Sequence, residues 1–387
     1  MLARLSQYLR NWLPTTGFHF DRPLVLLQSD DWGRVGLRDR EGFDQLSAAG
    51  MNVGEHPYDF YTMETAEDLA AISVLLKRHR DSKGRHPCVE MNFVVANLDF
   101  AKLPGSDGHL PFLPLAEGLP EGWKRPGLIE AYKGGICDGV FYPALHGITH
   151  VCRNAVERSR ADVERGKLLR TLWQAGTPYI YWRMPWVGYE YWDPEQPDGD
   201  RFLTRETQQK LIGDSVGAFA KLFSTLPHSA CAPGYRANDD THRAWSQHGV
   251  RVAQNGPGKV LPPYIGRHGV LQLTRTIDFE PAVDPAFSID CCLQQAEHCF
   301  ERGIPAIVSL HSINFHSTVR DFRSRTLEML DQFFAGLESK HSDLIYLHDE
   351  DLRELVNTGA YGSPDGNVSL KVIQKKFIPA AAGQRRA

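Results

Sequence analysis

Short unbroken apolar runs alternate along the chain with longer stretches whose apolar residues recur every three or four positions. The run Leu24-Val25-Leu26-Leu27, positions 89–95, the run Ala306-Ile307-Val308-Ser309-Leu310 and the run Leu344-Ile345-Tyr346-Leu347 are predicted strands. Further strands are predicted over 178–182 and near Ser229. Helical periodicity predicts helices over 65–80, 154–175, 204–225 and 320–337. In the first of these, Thr65 and Asp68 have capping-box spacing, Leu69, Ile72, Leu75 and Leu76 share a face, and Lys77 to Arg80 suit the negative end of the helix dipole. Strands that alternate with helices argue for a parallel sheet, and enough such units close it into a barrel.

Two long stretches break the pattern. Positions 102–135 are rich in Gly and Pro, and positions 184–201 hold Trp186, Tyr189, Tyr191 and Trp192. Loops of this length inside a compact domain are functional or inserted. From Gly359 onward periodicity is lost, which reads as a loose tail. At the other end Leu2, Leu5, Leu9, Trp12 and Leu13 fall on one helical face, apt for packing on the domain or for lying in a membrane interface. The expected organisation is an N-terminal helix over 1–20, a barrel over 21–358 and a tail over 359–387.

Composition narrows the class. An apolar share of 42% in 387 residues supports a large core, and a formal charge of −4 without a basic block argues against a nucleic-acid partner. No run reaches membrane-spanning length. The seven cysteines show no CxxC spacing and the N-terminus lacks the continuous apolar core of a secretory signal, so they read as reduced thiols in a cytoplasmic protein; Cys291, Cys292 and Cys299 offer a soft-metal site or ordinary core positions.

Four short motifs carry candidate chemistry. Asp30-Asp31-Trp32-Gly33 follows the first strand, so two carboxylates lie at its C-terminal end, the catalytic edge of α/β folds. His146-Gly147-Ile148-Thr149-His150 has the spacing that puts two imidazoles on one helical face, able to grip one ion. Pro233-Gly234-Tyr235-Arg236 is a tight turn able to present a backbone N–H, and His311 ends an apolar strand. Alone, each also reads as ordinary structure: a turn, a core histidine, a surface pair. Their order is more specific.

That order resembles the polysaccharide deacetylase family, the NodB-homology group also known as carbohydrate esterase family 4. The resemblance spans about 23 to 355, with specific matches confined to the four motifs. It implies an α/β fold, a distorted (β/α)7-type barrel here carrying long loop insertions, and hydrolysis of acetyl groups on sugars with one divalent metal. Carried over by position, Asp30 is the general base, Asp31, His146 and His150 are the metal ligands, and His311 is the general acid. The amide of Gly234 or Tyr235 would hold the oxyanion. The expected metal is Zn2+, with Co2+, Ni2+ or Mn2+ as alternatives. Expected substrate contacts are Trp32, Arg236, Trp186 and Asn97, with Asn92 and Asp99 as further cleft residues and Trp182, Tyr189 and Trp192 as stacking or packing aromatics.

The chain departs from the family pattern in three ways. Cys231 occupies the position of an arginine that braces the catalytic aspartate, with Arg236 as a substitute. No motif near 250–254 supplies an acidic partner for His311, for which Asp278 is a candidate. The first two motifs are more than 100 residues apart, so insertions reshape the cleft. The expected function is removal of an acetyl group from an N-acetylated sugar or glycoconjugate, in surface-polysaccharide or glycolipid assembly. The alternatives are an amidohydrolase acting on a small non-sugar amide and a catalytically silent carbohydrate-binding member of the fold.

Overall fold

A computed structural model describes residues 14–105, 109–363 and 366–379. Its strands are β1 (Thr15–Phe20), β2 (Leu24–Trp32), β3 (Val89–Phe93), β4 (Ala96–Leu98), β5 (Phe112–Pro114), β6 (Phe141–Leu145), β7 (Ser229–Cys231) and β8 (Val252–Asn255). They continue as β9 (Tyr264–Ile265), β10 (Leu271–Thr274), β11 (Ile277–Asp278), β12 (Ala306–His311), β13 (Ile345–Tyr346), β14 (Ala360–Ser363), β15 (Gly366–Ser369) and β16 (Val372–Phe377). The main sheet runs β11-β12-β2-β3-β6-β7-β8-β10-β9-β1-β16, with β13 on β2. From β11 to β10 every pairing is parallel.

Chain geometry forces this run to curl. β10 and β11 sit at its opposite ends, yet only Arg275 and Thr276 separate them. The three steps from Thr274 to Ile277 reach at most about 11 Å, so the two ends must meet, and the sheet becomes the distorted barrel expected from the sequence. All nine residues of β2 are buried, as befits a strand covered on both faces.

Side chains alternate across each strand, and that alternation builds the barrel interior in layers. Leu24 and Leu26 join Val252, Leu271, Leu273 and Ile307 in an apolar cluster closed by Leu352 and Leu355. Two and four positions further along the same strand faces lie Gln28 and Asp30, Gln254, Arg275, Ser309 and His311. The interior is thus apolar at the N-terminal end of the strands and polar at the C-terminal end. Val25, Leu27, Val89, Met91 and Phe93 face the other way into the larger core under the helices.

Several expectations change. The helix expected over 154–175 is two helices, Arg153–Ala161 and Val163–Gln174, because the Asp162 carboxylate caps the second one through Glu164 and Arg165 N–H. Positions 178–182 are not a strand; they lead into a single turn, Tyr181–Arg183, whose Trp182 and Arg183 are drawn to Asp59. The stretch 102–135 holds β5 and most of a helix, Leu128–Cys137. Of the segment expected as a loose tail, the described residues are ordered: β14 and β15 pair antiparallel and β16 pairs with β1 over six positions, while 364–365 and 380–387 lie outside the described residues. Of the helix expected over 1–20, residues 1–13 lie outside the described residues and Thr15–Phe20 is strand. Among the described residues, no helix is long and apolar enough to cross a membrane, and all seven cysteines are free.

Candidate active site

Asp30 and Asp31 end β2, where the pairing with β3 shifts register between Ser29 and Trp32. Asp31 takes a left-handed conformation, φ 75°, there. Neighbouring side chains on a regular strand point to opposite faces, and this bulge brings both carboxylates to one centre. His150 (φ 67°) and Tyr235 (φ 58°) are also left-handed. Such conformations cost about 1–3 kcal/mol each outside glycine and persist where the surroundings enforce them.

Five expected residues converge. Asp31 Oδ1 lies 3.2 Å from His150 Nε2 and 3.6 Å from His146 Nε2. All three side chains are buried, and Asp31 Oδ1 has no hydrogen-bond partner. His311 is the register partner of Asp30, with Nε2 3.9 Å from Asp30 Oδ2. The two histidines of the pair are not on a helix, as the spacing suggested. They flank a turn after β6 in which Gly147 and His150 both have positive φ.

Each carboxylate has its own buried arginine. Arg275 clasps Asp30 through Nη2 to Oδ1 at 2.5 Å and Nη1 to Oδ2 at 2.8 Å, and Asn92 donates to Oδ1 at 2.8 Å. Burial alone would raise the Asp30 carboxyl; Arg275, His146 and His311 outweigh it and hold it well below the usual carboxylate range. Arg34 Nη2 lies 3.1 Å from Asp31 Oδ2. Against burial, Arg34 and the two histidines bring Asp31 down to about 2. Burial lowers both His146 and His150, so they are neutral at neutral pH.

The donor set fits a divalent cation. His146 Nδ1 donates to Cys231 O at 2.9 Å and His150 Nδ1 lies 3.1 Å from the Tyr179 hydroxyl, which leaves both Nε2 atoms facing Asp31. Ligand atoms around a tetrahedral ion with bonds of about 2.1 Å lie about 3.4 Å apart, matching the 3.2 and 3.6 Å separations. Neutral imidazoles and an unpaired, ionised carboxylate oxygen are the states a metal requires. Among the described residues a second group, Asp30, His146 and Cys231, also clusters closely enough. Arg275 already occupies both oxygens of Asp30, however. Cys291, Cys292 and Cys299 form no such group among the described residues.

Other expectations are corrected. Arg236 does not brace Asp30; its guanidinium lies 4.8 Å over the Trp192 ring. Asp278 is exposed, and the partner of His311 is Glu280, whose Oε1 accepts from Nδ1 at 2.6 Å while Asn314 donates to Oε2 at 2.6 Å. Trp32 is fully buried and stacks on Phe315, so it is core. Asn97 spends both polar atoms pinning the loop after β2, to Val35 N and Gly33 O. Asp99 pairs with Lys102. Trp186 packs under Arg165 within the second insertion. Tyr235 N–H donates to Ala232 O at 2.8 Å, and its phenol accepts from Arg275 at 3.0 Å. Tyr189 packs so tightly on Gly234 that any Cβ there would enter its ring.

No family model matches the chain, and no curated protein matches it. Solved structures do. A candidate glycoside hydrolase/deacetylase of Parabacteroides distasonis superposes with a TM-score of 0.50 at 11% identity, over 93% of this chain and 80% of that one. A candidate polysaccharide deacetylase of Mycobacterium smegmatis gives 0.46 at 12%, over 88% and 91%. A family 4 carbohydrate esterase of Streptomyces lividans, in complex with acetate, gives 0.36 at 10%, over 84% and 91%. At a TM-score of 0.50 the first of these shares the fold of this chain, the distorted (β/α)7-type barrel its motifs led us to expect.

Proposed function

We propose that the chain is a metal-dependent hydrolase that removes an acetyl group from an N-acetylated sugar or glycoconjugate. The observation that carries this reading is the buried, unpartnered Asp31 Oδ1 facing two imidazole nitrogens at ligand-to-ligand spacing. Asp31, His146 and His150 would hold the ion, zinc in the first instance. A divalent ion in such a site lowers the pKa of a water from about 15.7 towards about 7 and polarises a carbonyl oxygen.

The chain's own residues divide the remaining work. Asp30, kept ionised by Arg275 and oriented by Asn92, accepts the proton of the attacking water. With Tyr235 N–H committed to Ala232, the Gly234 amide is left to stabilise the oxyanion. His311, held protonated by Glu280, donates to the departing nitrogen. The absence of the family's arginine at Cys231 favours a catalytically silent protein, but Arg275, between β10 and β11, clasps Asp30 in its place and supports an enzyme. Free cysteines suit a cytoplasmic setting, where the substrate would be a lipid-linked or nucleotide-linked sugar of surface-polysaccharide assembly.

Zinc-loaded protein is expected to release acetate from N-acetylglucosamine derivatives. Asp30→Asn is expected to lower that rate by at least a hundredfold while zinc content stays at the wild-type level. Release from small non-sugar amides but not from sugars would move the reading to an amidohydrolase. Full activity in Asp30→Asn would refute it.

A further inference from the structure

The loop that carries both histidine ligands is not held by its own secondary structure. Between His146 and His150 the backbone makes a turn whose three consecutive N–H groups, from Ile148, Thr149 and His150, converge on one point. At that point is the carboxylate of Glu190. Its Oε2 accepts from Ile148 at 2.8 Å, Thr149 at 3.0 Å and His150 at 3.3 Å, and Oε1 lies 2.9 Å from Ile148 N. Glu190 is 1% exposed. Successive N–H groups in a turn form a concave nest that favours an anion, and here the anion is a side chain from 40 residues away.

Glu190 belongs to the second long insertion. It stands in a narrow turn closed by Tyr189 and Trp192, which bond in both directions at 2.9 and 2.7 Å. The same turn places Tyr189 edge-on to His150, with ring centroids 5.8 Å apart, and against Gly234. Gly147 is shaped to match: its φ is +79°, and a Cβ there would collide with Glu190 Oε2. The insertion therefore touches both the ligand loop and the turn opposite it.

We propose that Glu190 is a positioning residue for the metal centre, fixing the His146–His150 turn so that both Nε2 atoms face Asp31. It acts through the loop's amide groups and touches neither metal nor substrate. This rests on the metal reading given above. Groups that orient ligands change metal affinity by about 10–100-fold when lost, and Glu190→Gln keeps the size of the side chain while removing the charge that the nest holds.

The test is a titration of metal-free protein with Co2+, followed by visible absorption, with thermal unfolding of the same samples. Wild type is expected to bind one Co2+, and Glu190→Gln to bind it at least tenfold more weakly with an altered absorption band, although the apoprotein remains folded. Equal affinity and an unchanged band in Glu190→Gln would overturn the role of Glu190 and leave the metal reading intact. Wild type that binds no Co2+ would overturn the metal reading and this inference with it. Should Glu190→Gln fail to fold, hydrogen exchange on the wild-type apoprotein decides. Protected amides at Ile148, Thr149 and His150 support the proposal, and rapid exchange there overturns it.

Discussion

Asp30 and Asp31 are neighbours in sequence, and their partners separate them. Both oxygens of Asp30 are engaged by Arg275 and Asn92, whereas Asp31 keeps one oxygen unpaired. The clasp fixes the orientation of the Asp30 carboxylate, and the free oxygen of Asp31 suits a ligand. His311 gives the sharpest expectation at this scale. Burial would lower its imidazolium, but Glu280, Asp30 and Asp31 outweigh that and raise it to about 9. The sign follows: a histidine whose folded pKa exceeds its unfolded value of about 6.5 stabilises the fold fully below about pH 6.5, and that contribution is lost as pH rises through about 9. NMR titration of the metal-free protein is expected to place the His311 midpoint near 9, and Glu280→Gln to return it toward the ordinary histidine range. An unchanged midpoint in that variant would show that Glu280 is not the cause.

At the scale of elements, what was legible was what alternates. The apolar runs of β2, β3 and β12 and the helices at 65, 204 and 320 were readable because burial on one stripe or both faces writes itself into sequence. Arg275 was legible in principle. Leu271, Leu273 and Arg275 repeat the two-residue spacing of Leu24, Leu26, Gln28 and Asp30, so an arginine at the end of a period-two apolar strand marks an interior group at the catalytic edge. Glu280 and Glu190 were not readable, because each lies in a loop whose position is set by tertiary contacts alone. The histidine turn was misjudged for a related reason: spacing of four suits a helix, but Gly147 and the carboxylate of Glu190 impose another conformation. The strand β16 was missed because it is a half-exposed edge element with little apolar pattern. Its six paired positions with β1, at a few tenths of a kcal/mol each, amount to about 2 kcal/mol. Removal of residues 372–387 is expected to lower the melting temperature by a few degrees and to leave metal affinity unchanged. A melting temperature equal to that of the full chain would show that the pairing contributes nothing.

At the scale of the whole molecule, one geometric fact organises the rest. A parallel run whose two ends are separated by two residues must close on itself, and closure gathers the C-terminal ends of β2, β6, β10 and β12 around one axis. Residues spread from Asp30 to His311 then share a centre, and the second insertion packs against it through Tyr189 and Glu190. Anomalous diffraction at the zinc edge from crystals of the zinc-loaded protein shows whether Asp31, His146 and His150 share one ion. A single peak is expected, bonded at about 2.0–2.2 Å to Asp31 Oδ1, His146 Nε2 and His150 Nε2, with Asp30 still clasped by Arg275. A peak on Asp30, His146 and Cys231 instead, or no peak in the barrel mouth, would contradict that assignment.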